Sequence, residues 1–147
     1  MNRWWAVPLL TAAVTMTSCV GPARTTDDYA RKARTTAEDV LSSVKTVRLA
    51  IELERHHRAT HAYLSVVIGD AERDASEIQS TFDSIQPPND RSDQVRDLID
   101  DVVGEAVSQL GDARIAIRRD DRDGLLGLAG QLDGSATKLE RISGHAG

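Results

Sequence analysis

The stretch Val95–Ile117, VRDLIDDVVGEAVSQLGDARIAI, carries the clearest periodic pattern in the chain. Its apolar residues recur at steps of three and four, which places them on one face of an α-helix. These residues are Val95, Leu98, Ile99, Val102, Ala106, Leu110, Ala113 and Ile117. Charged and polar residues fill most of the positions between them. The stretch therefore predicts a long amphipathic helix whose apolar face packs against other helices.

Three more apolar stripes have the same period, and no stretch alternates as a β-strand would. The first consists of Ala33, Ala37, Val40, Val44, Val47 and Ile51, with Leu41 beside it. The second consists of Ala59, Tyr63, Val67, Ala71, Ile78, Phe82 and Ile85. The last consists of Leu125, Leu128, Leu132, Ala136, Leu139 and Ile142. The sequence predicts an all-α fold, an antiparallel up-down four-helix bundle over residues 27–143, with residues 144–147 as a frayed tail.

Turn signals separate the four stripes. Pro87-Pro88 cannot continue a helix, and Asn89 offers an N-cap for the next one. Arginines followed by aspartates predict a tight turn near Asp120, because cations suit a helix end and anions a helix start. Between the first two helices we predict a turn near Thr60 rather than at Gly69, because bundle helices of similar length bury their stripes best.

The N-terminus has the order of a secretory signal. Arg3 precedes an apolar run from Trp4, and small residues lead to Cys19, the only cysteine of the chain. A lone cysteine cannot form an internal disulfide. Three other readings stay open: cleavage after Ala23, an uncleaved membrane helix, which would be at the short limit for a span, or an incidental cysteine.

Met16-Thr17-Ser18-Cys19 resembles the lipobox of bacterial lipoproteins. The resemblance implies that residues 1–18 are a removed signal peptide and that the Cys19 thiol carries a diacylglyceryl group. Residues 19–26 would then be the lipidated N-terminus and a short linker. It also implies a location on the outer face of the cell membrane, or at the outer membrane if the cell has one. The Ala/Arg/Asp-rich helices and the Gln86-Pro87-Pro88 break are similar to those of small helical lipoproteins of high-GC bacteria.

Composition argues against nucleic acid as a partner. The chain carries 18 basic and 23 acidic residues, a net charge of −5, which becomes −6 once the leader with Arg3 is removed. Nucleic-acid affinity comes mainly from neutralised phosphates, so an acidic chain is a poor candidate. After the leader only Tyr29, Tyr63 and Phe82 are aromatic, too few for a platform that stacks bases.

One cluster has spacing that resembles a metal site. Glu54 and His57 form a Glu-x-x-His pair of the kind used in di-iron bundles, and His61 lies four residues further on. The motif occurs once, and a stable zinc site needs three or four ligands. We therefore expect no metal and no other cofactor, and we interpret the histidines as a solvated helix end. A metal- or cofactor-binding bundle that uses Glu54, His57 and His61 remains the alternative.

Four cations lie close to the N-terminal end of the first helix: Arg24, Arg31, Lys32 and Arg34. They could contact anionic lipid headgroups, at about 1 kcal/mol each. The interpretation that we favour is pairing along the helix with Asp27 and Asp28.

No motif for nucleophilic or phosphate chemistry occurs in the sequence. We therefore expect a protein that is not an enzyme: a membrane-anchored extracytoplasmic helical module with a binding or scaffolding role in the cell envelope. Its expected partners are the membrane, through the lipid anchor, and another envelope protein.

Overall fold

The structure of the protein is a computed structural model, which describes residues 23–144. The chain forms five helices in this range: α1 (Thr26–Arg55), α2 (His61–Asp83), α3 (Asp90–Arg118), α4 (Arg122–Gly127) and α5 (Ala129–Ser143). Only Leu128 separates α4 from α5, so the two form one rod and correspond to the predicted fourth helix. No β-strand occurs between Ala23 and Gly144. The prediction of an all-α four-helix bundle is confirmed, with a break in the fourth helix that the sequence analysis did not predict.

The bundle has two ends, which we call basal and apical. At the basal end α1 and α3 begin, and α2 and α5 end; the Asn89 side-chain amide there donates a hydrogen bond of 2.8 Å to the Thr26 hydroxyl. At the apical end α1 and α3 end, and α2 and α4 begin; there the Arg122 guanidinium donates to the Glu54 carboxylate at 2.9 Å. α1 contacts all four other helices, whereas α2 and α5 lie on opposite sides of the α1–α3 pair.

The apolar stripes form one continuous core. The whole first stripe is buried, as are most of the third and fourth stripes. α1 and α3 contact each other, and both helices bury small residues, which let helices approach closely. These residues include Ala33, Ala37, Ala106 and Ala113, all of them buried.

Two residues of the predicted stripes do not lie in the core. Tyr63 is 52% exposed, and the neighbouring Leu64 is fully buried instead. Leu98 is 53% exposed, while Ile99 beside it is buried. In both places two apolar residues are adjacent, so the sequence allows two phases of the stripe. The residue that faces the partner helices is the one that becomes buried. The prediction of a core position was therefore wrong for Tyr63 and for Leu98.

The predicted turns near Thr60, Pro88 and Asp120 are confirmed. Both apical turns end their helix with the same hydrogen-bond pattern, in which a residue with positive φ follows the helix. That residue is His57, with φ of 52°, in the first turn and Asp120, with φ of 55°, in the second. The Arg58 amide bonds to the Leu53 carbonyl at 2.8 Å, and the Asp121 amide bonds to the Ala116 carbonyl at 3.0 Å. Gly69 lies inside α2, as predicted.

Candidate functional site

The fourth rod is shorter than the helices it packs against. It runs from Arg122 to Ser143, and its two helices hold 6 and 15 residues, whereas α1 has 30 and α3 has 29. All of these rods reach the apical end. At about 1.5 Å per residue, the difference leaves about 10 Å of α1 and α3 without a fourth helix at the basal end. The missing length opens a groove between α1, α3 and the end of α5.

We call this opening the basal groove. It has a volume of about 620 Å³, which lies within the roughly 300–1,000 Å³ typical of small-molecule sites. Seven of its ten lining residues are apolar and form its floor and walls: Ala30, Ala33, Val95, Leu98, Ile99, Val102 and Ile142. Leu98, on the α3 wall, is more than half exposed.

The remaining three residues that line the groove are all cations: Arg34 from α1, and Lys138 and Arg141 from α5. No acidic residue lines it. Lys138 pairs with the Glu105 carboxylate at 2.5 Å, and this pair is exposed to solvent. The guanidinium of Arg34 makes no hydrogen bond or ion pair with any residue in the range 23–144. The groove therefore combines an apolar interior with a positively charged rim.

A polar seam between α3 and α5 closes the apical side of the groove. The buried Ser135 hydroxyl donates to the Gln109 side-chain oxygen at 2.9 Å. The Gln109 amide donates in turn to Glu105 at 3.3 Å, and Glu105 holds Lys138. This seam joins the middle of α5 to α3 at the level where the groove begins.

On the other side of the basal end, Arg96 of α3 holds the turn after α2. Its guanidinium donates to the Asp83 carbonyl at 3.0 Å, to the Ile85 carbonyl at 2.7 Å and to the Tyr29 hydroxyl at 3.2 Å. The hydrogen bond to Tyr29 raises the pKa of Arg96 above its usual value. The Tyr29 ring packs on Phe82 with centroids 5.3 Å apart. We call Arg96 with these partners the basal clasp.

Asp100 lies one turn after Arg96 in α3. Partial burial raises the pKa of Asp100 above its usual value of 3.8, and the nearby negative charge of Asp83 raises it further, while Arg96 lowers it. The carboxylate is therefore less stable in the fold than in water. Asp100 does not line the basal groove.

A second basal cavity, between α1 and α2, differs from the groove in charge. It has a volume of about 390 Å³ and contains both acids and cations. Its Arg31 pairs with Asp28 along α1, as the sequence predicts. The same prediction does not hold for Arg34, which lies on the rim of the basal groove instead. The basal groove differs from this cavity in that no acidic side chain lines it.

The structure brings the predicted metal residues to the apical end but places a cation among them. Arg122 of α4 bonds to the Glu54 carboxylate, to the Glu54 carbonyl at 3.1 Å and to the Arg55 carbonyl at 3.3 Å. It also lies 3.4 Å from Nε2 of His57. We call this arrangement the apical clasp. A guanidinium already supplies positive charge to Glu54 there.

His61 has a separate partner. Its Nε2 is 2.8 Å from the Ile117 carbonyl of α3, an arrangement in which the ring nitrogen donates. It lines a cavity of only about 60 Å³ together with Glu54 and Arg122. Within residues 23–144 no group of three or more histidine, cysteine or acidic side chains is arranged to hold a metal ion.

Cys19 and the signal peptide lie outside the described residues, so the lipidation site stays a prediction. Among the described helices, none is both long enough and apolar enough to cross a membrane.

Sequence reasoning missed the basal groove. The apolar stripe predicts a core position for Leu98, and the nearby acids predict pairing along α1 for Arg34. One signal for the groove was available in the sequence: the fourth apolar stripe is shorter than the third. The two stripes meet at the turn near Asp120, so the shorter one cannot reach as far toward the basal end.

Comparison with protein-family models, with curated proteins and with solved structures found no match for this chain.

Proposed function

We propose that the protein is a lipid-anchored module on the outer face of a cell membrane that acts by binding, not by catalysis, and holds another envelope component in its basal groove. The observation that carries this proposal is the groove itself, which is apolar inside, cationic at its rim and large enough for a ligand. Exposed apolar surface rimmed by polar groups is typical of binding sites.

The position of the groove supports an anchored role. α1 begins at Thr26, a few residues after Cys19, and the groove takes its first lining residue from the second turn of α1. A chain spans at most about 3.4 Å per residue, so the groove would lie within about 40 Å of a lipid on Cys19. Two acyl chains give stable anchoring where one chain gives marginal binding.

The anchoring half of the proposal is tested by Cys19→Ser. We expect the variant to leave the membrane fraction or to remain as an uncleaved precursor, whereas wild type is found in membranes as the cleaved form. Ser42→Cys in the Cys19→Ser background is the control, because it restores a thiol at an exposed position without a lipobox. A cleaved Cys19→Ser protein that stays in membranes would place the anchor elsewhere.

The binding half is tested with a photoreactive side chain placed at Leu98 or, as the matched control, at Tyr63. The two residues are equally exposed, but Leu98 lies in the groove and Tyr63 lies near the apical end. Irradiation of intact membranes should give a discrete crosslinked product from position 98 and none from position 63. Equal crosslinking from both positions would contradict a binding role for the groove.

A further inference from the structure

We propose that the ligand of the basal groove is a single-chain anionic amphiphile, a long-chain fatty acid anion or a lipid of the same form, bound as a monomer. This inference rests on the proposed function, because it names the chemistry of the component that the groove holds. Three features of the groove support it: an apolar lining, a charge of one sign, and the arrangement of the two along its length.

The apolar lining suits an alkyl chain. Seven apolar side chains from α1, α3 and α5 line a continuous trough, and none of them offers a hydrogen bond to a polar ligand. Transfer of methylene groups from water into such a trough is favourable in proportion to the area buried. The lining contains no aromatic ring, so the groove offers nothing to stack against a planar ligand.

The charges select the headgroup. Arg34 lies on one wall, and Lys138 and Arg141 lie on the other, with no acidic side chain in the lining. Arg34 has no protein partner in the described part of the chain, so its five donors are available to a carboxylate or phosphate. A cationic or neutral amphiphile gains nothing from this rim.

The arrangement also orients the ligand. Along α1, Arg34 lies one turn closer to the apical end than Ala30, and along α5, Lys138 lies one turn closer to the apical end than Ile142. Arg34 and Lys138 therefore lie toward the closed, apical side of the groove, beside the polar seam, whereas Arg141 lies near the basal end of α5. An anionic head would sit at that side, and its alkyl chain would extend toward the basal opening.

The test uses full-length protein in vesicles of phosphatidylcholine and a palmitate analogue with a diazirine at the end of its chain. After irradiation, mass spectrometry maps the labelled residues. We expect labelling around Leu98 and Val95 that excess palmitate competes away, whereas hexadecanol and hexadecyltrimethylammonium do not compete. Equal competition by all three would overturn the assignment of an anionic ligand. Equal labelling of the groove by a diazirine phosphatidylcholine would overturn binding of a monomer and indicate contact with the bilayer.

Two variants sharpen the test. Arg34→Glu should lower labelling about tenfold, the effect of losing one charge-assisted contact. Arg58→Glu makes the same change in net charge at an exposed position in the first apical turn and should leave labelling unchanged. Leu98→Asp, a change at an exposed position, should also abolish labelling without loss of helix content in circular dichroism. Wild-type labelling of Arg34→Glu would overturn the inference.

Failure of this inference is distinguishable from failure of the proposed function. A protein crosslinked at Leu98 in cells, together with no fatty acid labelling, keeps the binding role and rejects the lipid ligand. Labelled groove residues in a Cys19→Ser protein that stays cleaved in membranes reject the proposed anchor and support the ligand.

Discussion

The two ends of the bundle use the same device but differ in how they are closed. At each end an arginine from the start of one helix donates to carbonyls at the end of another: Arg122 to those of Glu54 and Arg55, and Arg96 to those of Asp83 and Ile85. The apical end then encloses a cavity of about 60 Å³, whereas the basal end has a groove of about 620 Å³.

The difference comes from the reach of the helices, not from the clasps. At the apical end every rod begins or ends at the same level, so Arg122 covers the carbonyls of a neighbour directly beside it. At the basal end α5 stops at Ser143, before the first turns of α1 and α3. An arginine can therefore donate hydrogen bonds to the carbonyls at the end of one helix, but it cannot replace the missing length of the fourth helix of a bundle.

The largest expected effect is the difference in stability between a substitution in the core and one in the groove, both in α3. Leu110→Asp should lower the free energy of unfolding by about 3–5 kcal/mol, because Leu110 is fully buried and an aspartate there has no partner. Leu98→Asp in the same helix should change it by about 0.5 kcal/mol or less, because Leu98 is exposed. Urea unfolding of both variants measures the difference. A large loss of stability in Leu98→Asp would mean that the groove is closed in solution.

The next effect compares the two clasps. Arg122→Ala should lower the free energy of unfolding by about 2 kcal/mol. The change leaves a largely buried Glu54 carboxylate and two carbonyls without their donor. Arg96→Ala leaves two carbonyls and a hydroxyl, with no carboxylate among its hydrogen-bond partners, and should cost about 1 kcal/mol. Arg119→Ala, an exposed position in the second apical turn, is the control for both. A larger loss of stability in Arg96→Ala than in Arg122→Ala would contradict this prediction.

Within residues 23–144, a change to glycine is expected to stabilise the protein only at the apical turns. His57 and Asp120 hold positive φ, which costs a residue with a side chain about 1 kcal/mol relative to glycine. Asp120→Gly should therefore raise the free energy of unfolding by about 0.5–1 kcal/mol, measured by thermal melting. The matched control is Ser84→Gly in the basal turn, where φ is −71° and glycine should destabilise. A destabilised Asp120→Gly would show that its side chain contributes a contact.

A smaller, pH-dependent effect is expected next to the basal clasp. The pKa of Asp100 is raised, so the folded protein holds that proton more tightly than the unfolded chain does. Stability from this group is therefore full at low pH and is lost as pH rises through 3.8 and then through the raised pKa. Asp100→Asn should be more stable than wild type at pH 7, by about 0.5 kcal/mol or less, because the residue is exposed.

The check is unfolding at both ends of that pH range. The advantage of Asp100→Asn should vanish below about pH 3.8, where wild-type Asp100 is also neutral. An advantage of Asp100→Asn that stays constant with pH would indicate a cause other than the carboxylate charge.

The smallest effect concerns metal at the apical end. A chelator should leave the melting temperature unchanged, because Arg122 contacts Glu54 and lies beside His57, while His61 bonds to a carbonyl of α3. Elemental analysis of protein without a histidine tag provides the direct measurement. Stoichiometric zinc or iron, with a lower melting temperature in chelator, would instead support the metal-binding alternative with Glu54, His57 and His61. Arg122→Ala sharpens the test, because it leaves those residues without the competing cation.

Much of the fold could be predicted from the sequence because its signals are local. Pro87-Pro88 ends α2, Asn89 caps α3, and steps of three and four place Val44 and Leu110 in the core. The residues at which the prediction failed, Tyr63 and Leu98, each stand beside another apolar residue, so periodicity alone could not set the phase of the stripe. The open basal end had one signal in the sequence, a fourth apolar stripe shorter than the third, but that signal did not name the residues that line the groove.

The sequence by itself determined the helical fold and the three turns, because each depends on residues close together in the chain. Only the tertiary structure decided the basal groove and the apical clasp. The groove exists because α5 ends before the helices beside it, and its cations come from Arg34 on α1 and from Lys138 and Arg141 on α5. Residues that are far apart in sequence define a site only after packing has fixed how far each helix extends past its neighbours.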